Sequence, residues 1–157
     1  MLDLQVSHEA PAFKIDATPG LKKGMGMFAT RPIARGELIL FEKPVLTIDS
    51  LQVWSEMIGK FARLTDTHRN AFYALSNCLT DESAPRELGI IKTNGLPLGK
   101  DAVATGVFAT IARINHSCAP NAHFNWNRSR GTATIYCLRE MVLHSLVFAL
   151  RPDSVRV

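Results

Sequence analysis

The chain has 157 residues, with 18 Lys plus Arg against 14 Asp plus Glu and a formal charge of +4. Its length fits one domain, and 46% hydrophobic with 20% charged residues excludes a disordered, collagen-like or disulfide-dense chain. The charge excess is spread along the chain, which suits a soluble protein and contains no direct nucleic-acid motif.

In chain order, Phe13-Lys14-Ile15-Asp16 alternates as a strand, Pro19-Gly20 marks a turn, and Met27-Phe28-Ala29-Thr30 reads as a second short strand. Glu37 to Glu42 and Val45 to Ile48 follow as apolar, strand-like runs broken by Pro44. From Ser50 the period lengthens. Ser50 is a cap for a helix with Leu51, Trp54, Ile58 and Phe61 on one face, and Asp66 or Thr67 for a second with Ala71, Phe72, Leu75 and Leu79. Residues 80–101 are rich in turn formers, and Val103 to Ile114 is apolar without a clear period. Asn115 to Asn121 is expected to be irregular, because Pro120 and the flanking amides break a ladder. Thr132 to Leu138 alternates as a strand. Strands at both ends with helices between them predict an α+β domain.

Cys78, Cys118 and Cys137 are odd in number and contain no CxxC pair, a usage that suits a reducing compartment. The start MLDLQVSHEAP lacks the features of a signal peptide. The most apolar run, Met141 to Leu150, is too short for a transmembrane helix of roughly 20 residues. The expectation is an intracellular protein, nuclear or cytoplasmic, with no membrane partner.

Two distant segments concentrate chemistry: Lys23-Gly24-Met25-Gly26-Met27-Phe28-Ala29 and Arg113-Ile114-Asn115-His116-Ser117-Cys118-Ala119-Pro120-Asn121. Glycines let backbone amides approach a ligand closely, though most such pairs only make a turn. The second segment packs polar groups beside apolar Ile111 and Ile114, so they need partners or a ligand. Its other reading is a self-satisfied turn with Cys118 as a small core residue.

In order along the chain, KGMGMFATRPIARGELILFEKPVL, KTNGLPLG with GVFATIARINHSC, and RINHSCAPNA resemble the SET domain, the fold of protein-lysine methyltransferases that use S-adenosylmethionine. The likeness is to a fungal-type branch similar to the SET-and-MYND group, here without a MYND finger. It implies a β-rich SET fold of short strands over residues 13–140, with 50–90 an inserted helical segment and 141–157 a divergent C-terminal tail.

Carried over residue by residue, the resemblance implies cofactor contacts at Gly24, Met25, Gly26, Asn94, Asn115 and His116. Asn94 matches a position that reaches the cofactor's carboxylate end. The reaction implied is methyl transfer to a lysine side-chain amine of a histone or non-histone protein. The amine must be neutral to attack, although its ordinary pKa is about 10.4.

The family pattern continues after Glu140 with an Ile, a Gly-Glu-Glu and a catalytic Tyr. Here Met141 to Leu150 reads differently and no Tyr follows Tyr136, so the catalytic residue is unknown and the SET segment is expected to be C-terminally incomplete. The family threads this segment through a knot-like closure, and its loss predicts a groove open on one side. Cys118 lacks partners at ligand spacing, so no metal is expected. The alternative is a catalytically inactive, truncated SET fold acting as a binding module or non-functional isoform.

Overall fold

The computed structural model describes residues 11–18, 24–49, 54–79, 83–99 and 104–149. The Pro19-Gly20 turn, the Ser50 cap with Leu51, and residues 150–157 lie outside the described residues.

Strands β1 (Phe13–Ala17) and β2 (Met25–Ala29) form an antiparallel pair in which Phe13 faces Ala29 and Ala17 faces Met25. A five-stranded sheet has the order β3-β9-β8-β10-β7, from β3 (Leu38–Glu42), β7 (Asn115–His116), β8 (Ala122–Asn127), β9 (Thr132–Cys137) and β10 (Phe148–Ala149). A third sheet places β6 (Thr105–Val107) between β4 (Leu46–Ile48) and β5 (Leu96–Pro97). Strict alternation makes β9 amphipathic: Ala133, Ile135 and Cys137 point into the core, while Thr132, Thr134 and Tyr136 point away. The core under these sheets is built on Met27, Ile33, Phe108, Ile114 and Val147.

The helices α1 (Trp54–Ala62), α2 (Asp66–Tyr73) and α3 (Arg86–Asn94) pack over β4 and β6 around a second core that contains Met57, Phe72, Ile90 and Val107. Three sequence expectations are corrected here. Among the described side chains of α1, Met57 is the buried one, with Phe61 packed against this core, while Ile58 faces solvent. Thr65 caps α2, its hydroxyl accepting from the His68 amide at 3.2 Å, and Asp66 is the first-turn acid. Leu79 lies beyond the end of α2 and is exposed.

A fourth correction is α3 itself, in the stretch read as turns. Pro85 precedes its first turn, where a missing amide hydrogen costs nothing. Gly89 in its middle resembles a break, but a side chain there would collide with Asn77. The glycine serves close packing, at a propensity cost of roughly 1 kcal/mol.

Residues 141–149, set apart above as tail, are built into the fold. Met141 bridges Ile33, with backbone bonds of 2.9 and 3.0 Å in the two directions. Beyond it, β10 runs parallel to both β7 and β8, pairing Phe148 with Asn115 and Ala149 with both His116 and Ala122. The Ser117 amide donates to the Ala149 carbonyl and the Asn121 amide to that of Phe148, so this strand passes between the two arms of the 115–122 loop. The expected missing closure is therefore present. It requires inward apolar residues, supplied by Met141, Val147 and Ala149, and backbone hydrogen bonds that any sequence provides.

Candidate functional site

Gly24 enters β2 at φ +70°, with open space where a Cβ would sit. Thr18 holds it, donating from its amide at 2.9 Å and its hydroxyl at 2.6 Å to the Gly24 carbonyl. Gly26 is buried, and a Cβ there would lie 2.8 Å from Thr18 Cγ2, 2.9 Å from Leu146 Cδ1 and 3.3 Å from Asn115 Nδ2. This glycine lets the strand and the Asn115 side chain approach each other.

The two distant segments meet through the closing chain. The Val147 amide donates to Met27 at 2.8 Å and the Ala29 amide to Ser145 at 2.9 Å, while Phe148 pairs with Asn115. The segment expected to leave the groove open thus joins its glycine-bearing and amide-bearing walls. On the other side, Glu42 fixes the 3-10 turn Ile111–Arg113 that leads into β7. Its carboxylate accepts the Thr110 amide at 2.9 Å and the Ile111 amide at 2.8 Å.

Between these walls lies a cavity of about 640 Å³, within the size range of small-molecule sites. Gly24, Met25, Asn94, Asn115 and His116 line it; Gly26 lies against Asn115 as packing. Five of the six residues named from the sequence thus share one cavity.

Asn115 Nδ2 is buried without a hydrogen-bond partner, a costly state for a donor unless a ligand completes it. Asn94 is tied into the protein through its amide nitrogen. Its Nδ2 donates to Ser76 at 2.7 Å and Ile90 at 2.8 Å, which commits both amide hydrogens. The side chain has only its oxygen left to offer, an acceptor that suits an ammonium group better than a carboxylate.

Sequence reasoning missed part of the lining: Ser76, Cys78, Thr93, Ala112 and Arg113. Asn94 holds Ser76, and the Thr93 hydroxyl accepts from the Cys78 amide at 3.0 Å, so the end of α3 fixes the loop after α2. Arg113 donates to the Ala74 carbonyl at 2.8 Å. Its guanidinium gives the lining a positive charge, and among the described residues the lining includes no carboxylate. Only Arg113, beside the Asn-His motif, carried any sequence signal.

Cys118 is exposed, not a core residue, and its Sγ lies 3.6 Å from His116 Nε2. Among the described residues no three His, Cys, Asp or Glu side chains come together as a metal site. No helix among them is long and apolar enough to cross a membrane. Tyr136 points to the outer face of the sheet and lines a separate concavity.

A β-rich fold whose last strand runs through a loop beside a cavity with glycine and Asn-His walls defines the SET class. The family model for the SET domain matches residues 24–143, and the chain belongs to that family. The histone-lysine N-methyltransferase set5 of Schizosaccharomyces pombe is 30% identical over 134 residues, 85% of this chain and 40% of that protein. The chain therefore spans less than half the length of this curated relative. A crystal structure of a candidate histone methyltransferase from Plasmodium falciparum superposes with a TM-score of 0.55 at 12% identity, covering 94% of this chain and 98% of that one. That likeness establishes the fold.

Proposed function

We propose that this chain is the cofactor-holding SET unit of an S-adenosylmethionine-dependent protein-lysine N-methyltransferase. The observation that carries the reading is one cavity bounded by Gly24, Met25, Asn115 and His116, with the buried, unpartnered Asn115 amide at its wall. The residues fit the cofactor's chemistry. Asn94 offers an acceptor to an ammonium, Arg113 a guanidinium to a carboxylate, and Gly24 a backbone free of side-chain obstruction. When bound, the cofactor supplies an electrophilic methyl group on a sulfonium.

The chain's own contribution is to orient that group and exclude water, since aligning two reactants removes much of the barrier to a displacement. The substrate class is a lysine side chain of a histone or another protein. Its amine reacts once neutral, so a channel that desolvates it favours the reactive form. No side chain of this chain is assigned as the catalytic residue.

A second reading follows from Tyr136. It lines a concavity that shares no residue with the cavity, and no tyrosine is among the described residues that line the cavity. On that reading the fold binds the cofactor without transferring its methyl group.

Calorimetry with S-adenosylmethionine, paired with a labelled-methyl transfer assay on core histones and mixed lysate proteins, tests both. Binding with transfer supports the methyltransferase, and binding without transfer supports the inactive fold. No binding at millimolar cofactor overturns both.

A further inference from the structure

The outer face of the β3-β9-β8 sheet takes no part in the cavity. A β-bulge between Leu38 and Leu40 shifts the register of β3 against β9. Ile39 and Leu40 both turn toward the core, and Leu38 and Phe41 both point outward. Phe41 is 71% exposed and shares one concavity with the exposed Leu38 and Tyr136, an apolar patch rather than an isolated surface side chain. Tyr136 lies opposite Leu38 and is also exposed. With Arg130, these side chains line a concavity of about 330 Å³.

The rest of that surface is uncharged and hydrogen-bonding. Asn125 faces Thr134, and Asn127 faces Thr132, across the β8–β9 pair. The hairpin tip is ordered: Asn127 Oδ1 accepts from Ser129 Oγ at 2.8 Å and from the Arg130 amide at 3.1 Å, and Gly131 closes the turn at φ +59°. Arg130 is thereby held at the rim, with the exposed Arg128 beside it in the same turn. Among the described residues the lining includes no carboxylate.

We infer that this sheet face binds single-stranded nucleic acid, with bases stacking on Phe41 and Tyr136 and phosphates meeting Arg130 and Arg128. Exposed aromatic rings on an antiparallel sheet, flanked by guanidinium groups, are the chemistry of a stacking platform. The charge is complementary to a polyanion and repels a basic peptide. The bulge also disrupts β3 as an edge, which disfavours a peptide adding as a further strand. The face shares no lining residue with the cavity, so the inference stands independently of methyl transfer.

The test is fluorescence anisotropy of the 157-residue chain with labelled oligouridylate and oligothymidylate of about ten nucleotides. The expected result is saturable binding that weakens with salt, and the two probes separate RNA from DNA as the source. Phe41→Ala weakens binding by about tenfold, and Arg130→Ala lowers the salt dependence by about one phosphate contact, with thermal midpoints unchanged. Tyr136→Ala, judged by the same tenfold criterion, decides the matter if Phe41→Ala fails to fold. Absence of saturable binding, equal affinity for polyglutamate, or unchanged affinity in the aromatic variant overturns the inference.

Discussion

The side-chain oxygen of Asn121 accepts from the backbone amide of Phe148 at 2.7 Å, across 27 residues of chain. Its Nδ2 donates to the Leu146 carbonyl at 2.8 Å. One buried side chain thus serves two backbone groups of the segment that joins the walls of the cavity.

Asn121→Ala leaves the Phe148 amide and the Leu146 carbonyl without these partners. A loss of about 2–4 kcal/mol in unfolding free energy is expected, read from urea denaturation with an unchanged slope. A loss under about 0.5 kcal/mol would show that other contacts hold the closure.

The two glycines separate backbone freedom from packing. Gly26→Ala drives a Cβ into the Thr18, Leu146 and Asn115 side chains and costs about 1–3 kcal/mol. It also displaces Asn115, so calorimetry should show weakened S-adenosylmethionine binding. Gly24→Ala meets no neighbour within 4 Å, and its cost is the left-handed backbone alone, about 1 kcal/mol.

Glu37 provides a pH test. The Arg31 guanidinium at 2.6 Å, followed by the Ala34 amide, holds its carboxyl below the ordinary value of 4.5. A depressed folded-state value means the contribution is complete above 4.5 and fades as pH falls through the folded-state value. Glu37→Gln should destabilise the protein at pH 7 by less than about 1 kcal/mol. Denaturation curves of variant and parent should converge in acid. Equal curves at pH 7 would rule out a stabilising role for the pair.

His144 is the one non-glycine residue with positive φ among the described residues, at 65°. It lies in the turn at residues 143–144 that precedes β10. His144→Gly relieves that strain and should raise stability by about 0.5–1 kcal/mol, measured as a higher thermal midpoint. A lower midpoint would mean that the imidazole makes a contact worth more than the backbone strain.

Much of the fold was legible in the residues. The alternation Thr132–Cys137 marks its strand through period-two burial, the apolar runs before residue 50 mark theirs by composition although the bulge in β3 breaks the period, and the glycine and Asn-His motifs locate opposite walls of one cavity. Helix α3 was not legible, because Gly89 and Pro85 carry the composition of a turn. The reason for Gly89, the Asn77 side chain against it, exists only once the loop after α2 is packed on α3. The face of α1 was misread for a similar reason: spacing fits several stripes, and the second core selects Met57.

By itself the sequence determined the family and the residue types around a ligand, since short motifs encode backbone approach and hydrogen-bonding capacity locally. Only the tertiary structure decided how Asn94 is oriented, that Cys78 and Arg113 join the lining, and that residues 141–149 complete the closure. Those outcomes depend on hydrogen bonds and packing between segments far apart in the chain, which no local pattern specifies. The closing strand in particular is chosen by inward apolar fit and backbone pairing, so it persists where the family's side chains do not.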